Sequence, residues 1–222
     1  MKRQKRKRYQ VGYDRVLKDV IVSSPAGSGM TYSLRLIRQI LNGIDKYIQV
    51  YAGGHNRKDI DLPVPQIVLL RNPYDSIASG TERWIDTSNH KPLIGQKLYS
   101  ISDVDGVKDQ IFCEAKRYFE FLDGAEKLDH IKFVKFETLT ENPSLFIEIV
   151  IKYFDIDSVP VEVTDNDIQL VFEDLVKNGE GNRSPRDKSE SRKLIDSWVR
   201  DMYPKETWNC WHVYNKLYPL AE

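Results

Sequence analysis

The chain lacks any apolar run near the ~20 residues that a spanning helix needs, because charges interrupt every hydrophobic segment, and no membrane span is expected. Cysteine is scarce. Cys113 and Cys210 stand far apart without C-x-x-C spacing, which gives neither a disulfide framework nor a metal knuckle. Both read as packing residues in a reducing compartment, the cytoplasm. Net charge is also missing, since 33 Lys and Arg balance 33 Asp and Glu. Six of the basic residues (Lys2, Arg3, Lys5, Arg6, Lys7 and Arg8) crowd the first eight positions, where there is no acid. Setting them aside leaves 27 basic against 33 acidic residues, a body of −6, so no broad basic surface exists for a nucleic-acid backbone. Residues 1–10 read as a solvated, disordered arm, with no apolar run behind it to make a signal peptide or an anchor. Residues 11–222, without an internal repeat, read as a single domain, and at 41% hydrophobic the chain can bury a core.

Hydrophobic periodicity supplies the architecture. Asp19 to Ser24 is a β-branched run that ends in Pro25 and a Gly-Ser-Gly turn, and Thr31 to Asn42 sets Leu34, Ile37, Ile40 and Leu41 at helical spacing. Lys46 to Ala52, Gln66 to Leu70 and Ile131 to Phe136 read as further strands. Helical patterns over Pro73 to Trp84, Val107 to Leu122 and Pro143 to Phe154 separate them, and Arg192 to Met202 and Lys205 to Leu217 close the chain. Strands alternating with helices predict an α/β fold, a parallel β-sheet flanked by helices on both faces. Ile85 to Asp105 has weak periodicity and reads as a lid candidate.

Between the first strand and its helix, Pro25-Ala26-Gly27-Ser28-Gly29-Met30-Thr31 has the layout of a phosphate loop. Glycines let backbone N–H groups approach an anion at the positive end of the helix dipole, and Ser28 and Thr31 offer hydroxyls. Against the pattern G-x-x-x-x-G-K-[ST], Met30 stands where the lysine belongs and Ser24 where the first glycine belongs. Without that cation, γ-phosphoryl transfer loses a main source of charge stabilisation, and an ordinary kinase or ATPase is not expected.

At the end of the Gln66–Leu70 strand follows Arg71-Asn72-Pro73-Tyr74-Asp75-Ser76-Ile77-Ala78-Ser79. Together the two segments resemble the cofactor motifs of P-loop sulfotransferases, which bind 3′-phosphoadenosine 5′-phosphosulfate (PAPS). Ser28-Gly29-Met30-Thr31-Tyr32 is similar to the end of the first motif, Pro-Lys-Ser-Gly-Thr-Thr-Trp, and Arg71 and Ser79 have the spacing of the second. The resemblance implies a P-loop-type, sulfotransferase-like fold. It also implies that Gly27, Ser28, Gly29, Met30, Thr31 and Tyr32 cradle the cofactor, with Arg71 and Ser79 on its 3′-phosphate and Tyr32 stacking on adenine. Asp75 reads as a helix-start residue. Phe136-Glu137-Thr138-Leu139-Thr140-Glu141-Asn142-Pro143 is similar to the family's Tyr-Glu-Asp-Leu…Pro element, which puts Phe136 against adenine, and Trp198 resembles a tryptophan of the C-terminal cofactor loop. Arg183, Arg186 and Lys188 occupy the region that closes over the 3′-phosphate, with Arg192 and Lys193 as alternatives.

His55, in Ala52-Gly53-Gly54-His55, follows the second strand where the family carries Lys-Thr-His with a catalytic histidine. An imidazole, with an ordinary pKa of ~6.5, can take a proton from an acceptor hydroxyl near neutral pH. His90 is the rival base, His130 precedes a strand, and His212 reads as packed. The family's two lysines are absent, replaced by Gly27 and Gly53. Arg57 and Lys58, or Arg35 and Arg38, are candidate stand-ins for the charge on the leaving phosphate. The implied activity is sulfonyl transfer from PAPS to a hydroxyl or amine without a metal. The acceptor, of small-molecule or glycan type, would be shaped by Trp84, Lys91 and Tyr99. The alternatives are a non-catalytic P-loop protein that binds an adenine nucleotide and, behind it, a small-molecule kinase with a displaced lysine. Nothing in the sequence sets the oligomeric state.

Overall fold

A computed structural model of the chain describes residues 19–41, 48–85, 98–156, 161–178, 189–205 and 208–222. Its centre is strand β3, Gln66–Leu70, buried along its whole length. Successive side chains of a strand point to opposite faces. Val68 and Leu70 accordingly join one hydrophobic cluster and Ile67 and Leu69 another. Past Gln66 the run has no polar position, the sequence of a strand covered on both sides, each fully buried aliphatic side chain contributing ~1.5–3 kcal/mol.

Around β3 lie β1 (Asp19–Ser23), β2 (Gln49–Gly54) and β4 (Ile131–Lys135), all parallel, in the order β2-β1-β3-β4. The register sets Val20 beside Val50, Val22 beside Ile67 and Val68 beside Phe133. The outer edge of β4 is paired: Glu222 N–H donates to the Phe133 carbonyl (3.2 Å) and Lys135 N–H to the Glu222 carbonyl (2.7 Å).

The helices, in chain order, are α1 (Met30–Leu41), α2 (Arg57–Ile60), α3 (Pro73–Glu82), α4 (Val104–Leu122), α5 (Phe136–Glu141), α6 (Pro143–Tyr153), α7 (Asp165–Lys177), α8 (Glu190–Met202) and α9 (Asn209–Leu217). One face carries α3, α4, α8 and α9 through Ile77, Ile111, Tyr118, Ile195, Trp208 and Trp211. The other carries α1, α6 and α7 through Ile37, Phe146, Val150, Val171 and Leu175. The expected α/β class, with helices on both faces of a parallel sheet, is the observed one. None of the described helices is long and apolar enough to cross a membrane.

The differences are local. β2 runs on to Gly54 rather than stopping at Ala52, while its expected start at 46–47 lies outside the described residues. Phe136 opens α5 instead of ending a strand. α4 begins at Val104, where the Asp103 carboxylate accepts from Gly106 N–H. α9 starts at Asn209, later than expected. α7 had no counterpart among the expected elements, although Ile168, Val171, Phe172 and Leu175 share one face and Thr164 caps it with Asp167. Cys113 is exposed on α4 rather than packed. Cys210 is packed, its Sγ 3.4 Å from the Ala115 carbonyl and its thiol pushed up to about 12 by burial. The arm 1–10 lies outside the described residues.

Candidate active site

In an open parallel sheet, ligands bind beyond the carboxyl ends of the strands, where the strand order reverses. Here the chain steps from β1 outward to β2 and then crosses back to β3, which puts the reversal between β1 and β3. The Pro25–Gly29 loop follows β1 and Arg71 follows β3, so the two motifs meet at that crevice. His55 follows β2 and Phe136 follows β4. Every motif residue at a strand end thus stands on the same rim of the sheet.

The loop packs against α3 without side chains between them. Gly27 has φ +80°, and a Cβ on it would come 2.2 Å from the Ser76 carbonyl oxygen and 2.8 Å from Ser79 Cβ. The Ser76 hydroxyl donates to the Ala26 carbonyl (2.8 Å), so the Ser28 hydroxyl is the donor in its 2.8 Å bond to Ser76 Oγ. Ser28 is buried there and braces the loop, so its hydroxyl is not the open donor that was expected. Gly29, Met30 and Thr31 N–H have no backbone acceptor among the described residues, and the first turn of α1 holds no acid. These are the orphan donors of a helix start, with the dipole's positive end behind them.

Arg71 reaches across the crevice. Its Nη1 donates to the Gly27 carbonyl at 2.7 Å, and its guanidinium lies 4.1 Å over the Phe136 ring. No other acceptor for this fork exists among the described residues. Burial, and after it the charge of Arg192, lowers the guanidinium from 12.5 to about 10, still a cation at neutral pH. A desolvated, pinned guanidinium with unfilled donors is a seat for an anion. Ser79, partly buried on α3 with its Cβ against Gly27, offers a hydroxyl that makes no hydrogen bond among the described residues. Asn72 caps α3, its side chain accepting from Asp75 N–H at 3.0 Å, so Asp75 stands at the helix start as expected.

Tyr32 departs from expectation. It is 3% exposed, and its ring stacks on Phe172 of α7 with centroids 5.6 Å apart, so it belongs to the core and offers no platform for adenine. Phe136 has Arg71 on one face, and its edge lies against Gly29, whose added Cβ would meet the ring at 2.6 Å.

His55 Nδ1 lies 2.7 Å from the Ser24 carbonyl, and Ser24 N–H donates to the Gly54 carbonyl (3.2 Å). The carbonyl can only accept, so Nδ1 carries the proton, and in the neutral ring the lone pair sits on Nε2. Of the other histidines, His130 bonds the Ile60 carbonyl through Nε2 at 2.8 Å, a structural tie, and His212 is exposed rather than packed. His90 and Lys91 lie outside the described residues, as do Arg183, Arg186 and Lys188.

The positions of the two absent lysines are filled. A Cβ on Gly53 would fall 1.9 Å from Ser23 Oγ, which donates to Gln66 Oε1. The expected stand-ins are engaged elsewhere: Arg35 pairs with Asp174 at 2.6 Å, Arg38 donates to the Val50 carbonyl at 2.8 Å, and Arg57 holds Asp61 and the Asp123 carbonyl. Lys58 is exposed. Restoring the lysine by Gly27→Lys is expected to cost ~3 kcal/mol in backbone strain and overlap, lowering the melting temperature by roughly 6–12 °C. Thermal unfolding that is unchanged in this variant would show that the loop has room for the side chain.

Of the buried charged groups Glu114, Arg192 and Asp196, only Arg192 stands among the expected site residues, as an alternative for the 3′-phosphate region. Glu114 on α4 is 3% exposed, and its Oε1 accepts from Gln110 (2.9 Å), Arg117 (2.8 Å) and Trp84 Nε1 (3.2 Å). Trp84 is thereby fixed at the foot of the 86–97 segment, where Tyr99 N–H donates to its carbonyl (2.7 Å) and Ile85 bridges Tyr99. Arg192 on α8 is 5% exposed. Trp198, also on α8, packs half-buried against the core. For Glu114 and Arg192 the signal is a charge inside an apolar helical stripe: Glu114 stands among Ile111, Ala115 and Tyr118, and Arg192 before Ile195 and Val199.

No family model matches the chain, and no curated protein matches it by sequence. Among solved structures it is similar to mouse sulfotransferase SULT7A1 complexed with PAP, with a TM-score of 0.53, 13% identity, and coverage of 92% of this chain and 90% of that chain. The likeness is one of fold, and it makes the α/β architecture sulfotransferase-like.

Proposed function

We propose that the chain is a sulfotransferase that takes the sulfonyl group of PAPS and delivers it to a hydroxyl or amine of a small-molecule or glycan-type acceptor in the cytoplasm. The observation that carries this reading is Arg71. A pinned and partly unfilled guanidinium, bonded to a glycine loop at a helix start that itself packs against Ser79, suits the 3′-phosphate that separates this donor from ATP.

The donor supplies an activated sulfonyl group on a phosphate leaving group. His55, oriented through Nδ1 by the Ser24 carbonyl, takes the acceptor's proton at Nε2 while the acceptor oxygen or nitrogen bonds to sulfur. The sulfur–oxygen bond to the 5′-phosphate breaks, and adenosine 3′,5′-bisphosphate leaves with the electron pair. N–H groups at the start of α1 supply donors for the charge on that leaving group, in place of the two lysines.

Calorimetry in chelator tests the premise without knowledge of the acceptor. Adenosine 3′,5′-bisphosphate is expected to bind more tightly than adenosine 5′-monophosphate and ATP, and at 100 times its Kd to stabilise the fold by ~2.7 kcal/mol. Equal affinity for the three nucleotides would remove the 3′-phosphate site. The filled positions at Gly27 and Gly53 favour one second reading, a protein that holds the nucleotide without transferring sulfonate. Bisphosphate binding with no transfer of labelled sulfonyl group to any of a panel of phenols, sugars and amines would select it.

A further inference from the structure

Gln66 is the polar position of β3 and is 1% exposed. Its Oε1 accepts from the Ser23 hydroxyl (2.8 Å), and its Nε2 donates to the carbonyls of Asp59 (3.0 Å) and Leu62 (3.3 Å), so α2 is tied to the buried sheet. A buried amide with both its ends satisfied makes a rigid support. Asp59, held on that support, turns its carboxylate back along the chain. Its Oδ2 accepts from Asn56 N–H (3.1 Å) and from the Asn56 side-chain amide (3.2 Å), while Asp59 N–H donates to the Asn56 carbonyl (2.9 Å). The same oxygen lies against Gly54, at φ +136°, where a Cβ would overlap it. Asp59 thus grips the residues on either side of His55.

That grip sets which way the imidazole faces. The Ser24 peptide meets the turn with its N–H on the Gly54 carbonyl (3.2 Å) and its carbonyl on His55 Nδ1 (2.7 Å). The tautomer of a histidine is fixed by the hydrogen bond that one ring nitrogen makes, and this bond lasts only while the turn holds the ring in place. We propose that Asp59 is a positioning residue for His55: by clamping Gly54 and Asn56 it keeps Nδ1–H on the Ser24 carbonyl and the lone pair at Nε2. The inference rests on His55 as the base that takes the acceptor's proton. The hold runs through the backbone of the turn, and Gln66 anchors it in the sheet.

The experiment is long-range nitrogen–proton NMR of the histidine rings in the full chain, at a pH that leaves them neutral, with the His55 signals assigned by their loss in His55→Asn. In the wild type Nδ1 is expected at the protonated end of the nitrogen shift range and Nε2 at the unprotonated end. Asp59→Ala is expected to draw the two shifts together as the ring exchanges between tautomers. Asp59→Asn, whose amide oxygen still accepts from Asn56 N–H, is expected to keep them apart. Affinity for adenosine 3′,5′-bisphosphate should stay within about threefold in both variants. Turnover of Asp59→Ala at saturating donor, with an acceptor recovered from the panel, should fall by about 10–100-fold, the scale of a reacting group displaced by an ångström. A carboxylate that only stabilises α2 would lower the melting temperature in Asp59→Ala and leave the ring shifts unmoved, and that result overturns the inference. If Asp59→Ala does not fold, Asp59→Ser decides: its hydroxyl stops one bond short of the Oδ2 position, and unmoved shifts there overturn the inference equally. A wild-type ring protonated at Nε2 overturns it as well. A wild type with the expected tautomer that transfers no sulfonyl group to the panel overturns the reading of His55 as a base, while convergence of the shifts in Asp59→Ala still supports the hold of Asp59 on the ring.

Discussion

Replacing Arg71 by alanine is expected to weaken adenosine 3′,5′-bisphosphate by about 100-fold, from the loss of a charge-assisted fork of ~1.5–3 kcal/mol, and adenosine 5′-monophosphate by only a few-fold. The asymmetry follows from geometry. Arg71 is tethered to the Gly27 carbonyl and stacked on Phe136, so it enters the complex already ordered and loses little side-chain freedom. Its desolvation has been met in folding, which is why its proton is held less tightly than in water. An anion restores what burial removed. Removing the side chain also frees the Gly27 carbonyl and uncovers Phe136, so thermal unfolding should accompany the calorimetry. Equal losses for the two nucleotides, with the fold intact, would take Arg71 out of the 3′-phosphate role.

The second large effect falls on His55. Turnover at saturating donor is expected to drop by ~10²–10⁴ in His55→Asn, the range that general-base catalysis spans. Asparagine is the informative substitution because its amide N–H₂ can keep the donor role of Nδ1 toward the Ser24 carbonyl while offering no base at the position of Nε2. The tie between the β2 end and the phosphate loop is then preserved, and bisphosphate affinity should stay within about threefold. Transfer of labelled sulfonyl group to the first acceptor recovered from a screen gives the turnover. Full activity in the asparagine variant would move the base elsewhere.

What the sequence makes legible is local. β1, the glycine loop, α1 and β3, apolar from Ile67 to Leu70, are each specified by a run of neighbouring residues, and the two motifs meet because sequential strands end on one rim. The boundary between β4 and α5 is less legible, since Ile131, Phe133 and Phe136 continue an apolar pattern through the residue where the backbone turns helical. Tyr32 shows how one unassigned element alters a site. Its position in the motif matches an open aromatic, but α7 lays Phe172 over it, and without α7 nothing in the pattern shows that the ring is covered. The charged neighbourhood of Arg71 is legible only in space, because Asp75, Glu137, Arg192 and Asp196 come from three separated stretches of chain. A charge in an apolar stripe announces that a partner exists, and packing decides which.

The clasp between Trp84–Ile85 and Tyr99 joins the residues that flank positions 86–97. Loop-closure entropy rises only with the logarithm of length, so doubling the number of residues between two joined flanks costs ~0.6 kcal/mol. The flanks are themselves held by the body of the protein, through Glu114, which accepts from Trp84 Nε1, and through the packing of α3 on α4. A change in the number of residues between those flanks thus meets a fixed pair of anchor points.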